Sequence, residues 1–545
     1  MPFFIVFFLF LTSCSLSSTV PFEVAGESIE LSSAKIFRTK NEKINRTSRV
    51  VLSDEAKAKI AKSADSARFI SIGAEIAIPY EKKSDIKDIS FRVIFSDGER
   101  RAVARAKDLQ ENPITKIRLS LCVSTEHFPD FLEVSGGEAV RFFCVGAQIG
   151  WQKDAENPLF AFGTVGGMAD FSFSGADFSS AENDFEKMPY LFLKMLPCSD
   201  HGDVSDQKRV RFSFAGEKIS VRRNAVQTSA KLYTEPFSGA AGELLLSENA
   251  EMISAVFLRG GENLRENEPL LADPGLVVRW KKSSWRHDEY ELFRWEQFPS
   301  VILFDTKDFA VQNRFFTRLA FFAEKKGYRG KLMSDEFVLR EKGYNAHDYS
   351  AETLALFFET ARKQQFLLNE HELLLKKILV ENAVIVENET GEIKAGNGAV
   401  ISISQESPVY LRTKLLSHEG WHGIFFTDSD FRTFCASAYN TMDKTSRAFM
   451  HSYWSLWASL NYDPADSTLM QNETMAYLLQ QSVSETAPYF LHLTEFNTVK
   501  KYIPELAEYV VQTEGKGFTA AALRYRSYVY ERYGLSAGRI SLVSF

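Results

Sequence analysis

The chain has 545 residues, with 45% hydrophobic and 25% charged residues, an ordinary globular composition that excludes a disordered or collagen-like polymer. That length is too great for one hydrophobic core and predicts several domains. The net charge is −7, with acidic and basic residues interspersed and no long basic run, so no nucleic-acid surface is expected.

Residues 1–13 (MPFFIVFFLFLTS) form an apolar run that ends before Cys14. The run is too short to span a bilayer but fits the apolar region of a secretion signal. Leu11-Thr12-Ser13-Cys14 resembles a bacterial lipobox, although no Lys or Arg precedes the apolar run. The resemblance implies cleavage before Cys14, lipidation of that residue, and export to the cell envelope with a membrane anchor. The polar stretch that follows, within 14–66, is expected to act as a tether, with a short helical pattern at Ser53–Ser63. No other stretch reaches eighteen uninterrupted apolar residues, so no transmembrane helix is expected.

Residues 67–262 read as strands. Ile86–Phe95 leads into the turn signal Ser96-Asp97-Gly98, and Ile117–Val123, Val140–Val145, Arg209–Phe214, Ala230–Tyr233 and Met252–Leu258 continue the pattern. Many short strands between glycine-rich turns predict a sandwich-like β region. Cys122 and Cys144 fall in neighbouring strand-like segments, where they can pair as a disulfide or remain buried thiols. The cysteine spacings match no zinc ribbon.

The texture changes near Leu264, so residues 263–545 are expected to form a second, α+β domain with a helical C-terminal part. Asp273-Pro274-Gly275-Leu276 opens an aromatic segment and Phe298–Phe304 reads as a buried strand. Helices are predicted at Asp308–Lys326, Ser350–Gln365 and Asn369–Val380, with Gly343–Tyr349 (GYNAHDY) a polar loop before the second. Val384–Val386 and Ala399–Ser404 read as strands, and helical patterns dominate from Asp430 onward.

Between them lies Leu415–Phe426, which contains His418-Glu419-Gly420-Trp421-His422. On a helix, histidines four apart share one face and present two imidazole nitrogens to one ion, for which zinc is suited. Glu419 is placed to take a proton from a metal-polarised water. The apolar residues around the motif indicate a buried helix, where unpaired imidazoles and a carboxylate would be costly. Gly420 and Gly423 in one turn indicate close packing or an early helix end. Catalytic zinc usually takes a third protein ligand. Glu473 in Asn472-Glu473-Thr474-Met475-Ala476-Tyr477 is the leading choice, with Asp428 and His451 as rivals. Donors for an oxyanion exist at His451, Tyr462 and Tyr477, with His347-Asp348-Tyr349 a looser possibility.

A strand, an H-E-x-x-H helix and a later N-E-x-x-A helix resemble the gluzincin branch of the zincin metallopeptidases over about 398–481. The resemblance implies Zn2+ held by His418, His422 and Glu473, Glu419 as catalytic base, and a peptide or protein substrate. It also implies that the strand before the motif, Ala399–Ser404, lies at a sheet edge and pairs with extended substrate. Several gluzincins carry an Asp four residues after the ligand Glu that hydrogen-bonds the first His; this chain has Tyr477 there. That departure sustains an alternative, an inactive zincin-like lipoprotein whose β-rich part binds glycan or protein.

Overall fold

The computed structural model describes residues 264–545 almost throughout, all but 342, 458, 459 and 461, and before them chiefly the backbones of strands between Val20 and Arg259. The signal, Cys14 and the Ser53–Ser63 helical pattern lie outside the described residues. The protein is mixed α/β and divides into two compact units. One comprises residues 1–180, 213–215 and 240–260; the other comprises 181–212, 216–239 and 261–545. The second unit therefore takes in chain that precedes the expected boundary at residue 262.

In the first unit the strands pair antiparallel. Phe69–Ala77 lies between Lys116–Ser124 and Arg141–Ile149, and Lys116–Ser124 continues through Pro158–Val165 to Ile253–Arg259. A second series runs Lys35–Arg38, Arg46–Val51, Phe131–Gly136, Ile89–Phe95, Gly98–Ala104, Ala169–Ser172, Glu243–Glu248. Phe95 opposes Gly98, so Ile89–Phe95 and Gly98–Ala104 pair as the expected hairpin, while Ser96 and Asp97 lie outside the described residues. The cysteine pairing is corrected: Phe69–Ala77 separates the strands of Cys122 and Cys144, in register with Ser71 and Glu75. Two strand spacings of about 4.8 Å exceed the roughly 7 Å Cα limit for a disulfide.

The second unit is built on a five-stranded sheet. Its strands are β1 (Leu270–Ala272), β2 (Tyr290–Trp295), β3 (Val301–Thr306), β4 (His347–Ser350) and β5 (Ala399–Ser404), in spatial order β1-β2-β3-β5-β4. Strands β3 and β5 are parallel neighbours in which every residue is buried. A strand covered on both faces needs such a continuous non-charged run, and Asp305 is the one charge in either. This corrects the edge-strand expectation. Ala399–Ser404 is flanked on both sides, and the sheet edge is β4, which pairs antiparallel with β5. Part of the expected polar loop, His347-Asp348-Tyr349, is thus a strand; His347 and Tyr349 are buried while Asp348 and Ser350 are partly exposed, the alternation a strand imposes.

The helices are α1 (Pro274–Arg279), α2 (Phe309–Ala323), α3 (Asp335–Arg340), α4 (Ala351–Lys363), α5 (Glu370–Glu381), α6 (Val409–Thr427), α7 (Ser429–Thr441), α8 (Lys444–Leu456) and α9 (Ser467–Leu479), with four more between 483 and 533. Side-chain caps start the three expected helices: Asp308 accepts from Val311 N, Ser350 from Thr353 N, and Asn369 and Glu372 form a reciprocal capping box. One sheet face (Leu292, Ile302, Phe304, Val400) packs on α2, α4 and α5 through Phe315, Phe316, Leu354, Phe357, Leu375 and Ile378. The other face receives α6. A Cβ on Gly423 would lie 2.9 Å from Val301 Cγ1 and 3.6 Å from Ile401 Cγ2, so the missing side chain is what lets α6 sit flush on the sheet. The helix runs on to Thr427, so the glycines mark close packing and not an early end. Asp305 at the end of β3 accepts from Arg412 of α6 at 2.8 Å and from Gln405 at 2.6 Å, which fixes the helix along its axis. Both Arg412 and Asp305 are buried, so breaking the pair would strand a charge.

Candidate metal centre

Helix α6 presents His418, Glu419 and His422, and α9 presents Glu473. The two helices are tied by a buried hydrogen bond from Trp421 Nε1 to Leu479 O at 3.0 Å. His422 is fully buried, Glu419 and Glu473 are buried, and His418 retains a little exposure. The two Nε2 atoms lie 3.1 Å apart, and Glu473 oxygens lie 3.7 Å from His418 Nε2 and 3.8 Å from His422 Nε2.

Those three groups fit one ion. Tetrahedral zinc with bonds of about 2.0–2.1 Å holds its ligand atoms about 3.3 Å apart, a value inside the observed spacings of 3.1, 3.7 and 3.8 Å. His418 Nδ1 lies 3.1 Å from Gln480 Oε1, an acceptor, so the proton sits on Nδ1 and the Nε2 lone pair is bare. Burial pushes the His418 imidazole down to about 4, which keeps the ring neutral. Glu473 Oε2 is buried with no hydrogen-bond partner. Burial also raises the Glu473 carboxyl to about 7, against the pull of His422 and a hydrogen bond from the Tyr462 hydroxyl. A buried carboxylate at this desolvation cost is the group that a divalent cation stabilises.

Asp348 of β4 approaches the same nitrogen of His422, its Oδ1 3.9 Å from Nε2, and its carboxyl is in hydrogen-bond contact with Glu419. Burial, then the Asp348 and Glu473 charges, hold the Glu419 carboxyl well above its usual range. Asp348, Glu419 and His422 form a second convergent group that shares His422 with the first. Among the described residues no other cluster of this kind occurs.

The rival ligands are elsewhere. Asp428 caps α7, accepting from Asp430 N and Phe431 N, and its other oxygen accepts from Tyr533 at 2.8 Å. His451 Nε2 is 2.9 Å from the Tyr439 hydroxyl. Of the donors considered, Tyr462 is engaged with Glu473. Tyr477 lies one turn after Glu473, its ring perpendicular to His418 with centroids 5.0 Å apart, and its hydroxyl makes no hydrogen bond among the described residues. Tyr344 donates to Leu460 O and Tyr349 is engaged with His347.

Sequence reasoning missed Gln480, which stands where an acidic partner of the first histidine was sought. It is two turns beyond Glu473, so it shares the face of α9 that looks at the motif; that spacing was the available signal. Asp348 entered only within His347-Asp348-Tyr349, as a looser possibility among the oxyanion donors, and not as a partner of Glu419 and His422. Comparison of the chain with protein-family models, curated proteins and solved structures returned no match.

Proposed function

We propose that the chain is a zinc-dependent peptidase of the bacterial cell envelope, tethered by lipid on Cys14, with a sandwich-like β module ahead of a zincin-like catalytic part. The observation that carries the reading is the convergence of His418, His422 and Glu473 from two helices, with Glu419 one residue from the first ligand. When bound, a zinc ion there supplies a Lewis acid for a carbonyl and lowers the pKa of water. Glu419 accepts the water proton and delivers it to the leaving nitrogen. Gln480 fixes the tautomer and plane of His418, and Tyr462 does the same for the Glu473 carboxylate. Tyr477, whose ring stands against that of His418, donates to the carbonyl oxygen as negative charge develops on it. The open side of β4 offers backbone groups to an extended peptide, so strand addition there supplies affinity without sequence demand. The absence of an Asp at position 477 does not favour an inactive protein, because Gln480 meets the first histidine's need.

The test is zinc stoichiometry on a soluble form starting after Cys14. The expected result is one zinc per chain, lost or sharply weakened in both His422→Ala and Glu473→Ala, with peptide hydrolysis abolished by Glu419→Gln. No zinc in metal-replete wild-type protein refutes the reading.

A further inference from the structure

Three arginines cluster where the strand Glu217–Arg222 meets the C-terminal segment of the chain. That strand lies between Val543–Ser544 and Arg209–Phe214. Arg222 N donates to Leu542 O at 2.8 Å, three residues beyond Arg539. Arg222 is 6% exposed, although Ser220, two residues back on the same face of the strand, is only partly buried. Burial, then the charges of Arg539 and Arg209, push Arg222 down to about 10. Burial and the Arg209 charge lower Arg539 as well.

The cluster lacks a counter-charge. Among the described residues the carboxylate that faces both Arg222 and Arg539 is Asp273. Its oxygens are taken by Gly275 N and Leu542 N, each at 2.8 Å, and by Val543 N at 3.1 Å. Arg222 Nη1 is buried with no hydrogen-bond partner. The Arg539 guanidinium makes no hydrogen bond or ion pair among the described residues. A buried cation without a partner is costly, and neighbouring like charges add to the cost. An anion bound among them removes both penalties.

The donors select the kind of anion. A guanidinium is a planar fork of N–H groups that engages two oxygens at once. A carboxylate has two oxygens, which a single fork occupies. A phosphoryl group has more, and takes one fork from each of two arginines. Arg222 is closed off from solvent while Arg539 is partly exposed, so the site opens on the Arg539 side. One open side suits a terminal phosphoryl group better than one substituted on two sides.

We infer that Arg222 and Arg539 bind a phosphoryl group, with Arg209 beside them adding to the positive potential. None of these residues is a candidate metal ligand, and the site stands or falls apart from the peptidase reading. It bears on α6 all the same, because Ile540, the residue after Arg539, packs against Gly420. A phosphoryl group that joins Arg539 to the Glu217–Arg222 strand holds in place the segment that covers this helix.

The experiment is calorimetry on the full chain in detergent, at low ionic strength with chloride as counter-ion. Inorganic phosphate, glycerophosphoglycerol (a phosphodiester of the lipid-headgroup kind) and acetate are added in separate runs. The expected result is one phosphate per chain, weakened roughly 10- to 100-fold in both Arg222→Gln and Arg539→Gln, the worth of one charged hydrogen bond. The diester and acetate should bind at least tenfold more weakly than phosphate. If Arg222→Gln does not fold, the partly exposed Arg539→Gln decides. Diester binding as tight as that of phosphate, and lost in Arg539→Gln, supports the site and makes a lipid headgroup its source of phosphate. Failure of both phosphate and diester to bind overturns the inference. So does phosphate affinity unchanged in Arg539→Gln, or acetate bound as tightly as phosphate.

Discussion

Replacing Gln480 by alanine separates what the proposed metal ligands do from what holds them. Its Oε1 fixes His418 through one bond of 3.1 Å, and the side chain is buried at the end of α9. Without it the imidazole is free to turn about its Cβ–Cγ bond, and its Nδ1 proton is left without an acceptor in a buried site. Outer partners of metal-bound histidines are typically worth 10- to 100-fold in affinity, which is about 1.4–2.8 kcal/mol. Gln480→Ala should therefore weaken zinc by that factor in competition with a chromophoric chelator, while its metal-free melting changes by only about 1 kcal/mol, the ordinary worth of a neutral hydrogen bond. Gln480→Glu should bind zinc at least as tightly as the wild type, because a carboxylate accepts the same proton more strongly. Wild-type affinity in Gln480→Ala, or equal loss in both variants, would refute the view that this residue orients the first histidine.

Other outcomes follow from the same geometry. Asp428→Ala should leave zinc affinity unchanged while lowering stability in urea by about 1 kcal/mol, the usual cost of a lost helix cap. Gly423→Ala sets a methyl 2.9 Å from Val301 Cγ1 on a buried strand; overpacking of about 1–3 kcal/mol outweighs the roughly 1 kcal/mol that alanine gains in a helix, so the melting temperature should fall. Tyr477→Phe should lower kcat by about 10²–10³ while zinc affinity stays put, and a rate within threefold of wild type would remove it from the mechanism. Burial holds His347 down at about 3, so the folded protein keeps it neutral where the unfolded chain begins to protonate near 6.5. Its contribution is complete above pH 6.5 and is lost as pH falls toward 3. Between pH 6.5 and 5 the loss reaches about 2 kcal/mol, and His347→Gln should show a flatter stability profile in urea titrations.

The three helices on the sheet face opposite α6 were legible because their starts are written locally. Asp308, Ser350 and Asn369 each cap a helix through a side chain, so no tertiary information is needed to find them. The pairing of His418 with His422 is equally local, and Glu473 followed from the demand for a third ligand. Strand β4 was not legible: His347-Asp348-Tyr349-Ser350 has no strand-forming run, and it is extended because β5 offers it hydrogen bonds from residues far along the chain. The interior place of β5 was written in its composition, since only a strand covered on both faces tolerates AVISIS without a charge. Asp348 was hidden for the same reason as its strand, because its meeting with Glu419 depends on sheet order.

Asp273 accepts hydrogen bonds from Leu542 N and Val543 N as well as from Gly275 N at the start of α1. Val543–Ser544 pairs with Glu217–Arg222, and Ile540 packs against Gly420, one turn before Gly423 and beside Trp295 of β2. During synthesis residues 540–544 leave the ribosome long after His418 and His422 do. Until they arrive, α6 lacks part of its packing and Asp273 lacks two of its three partners. The packing of α6 is thus completed by residues made after His418, His422 and Glu473, so the three side chains are synthesised before the contacts that seat their helix.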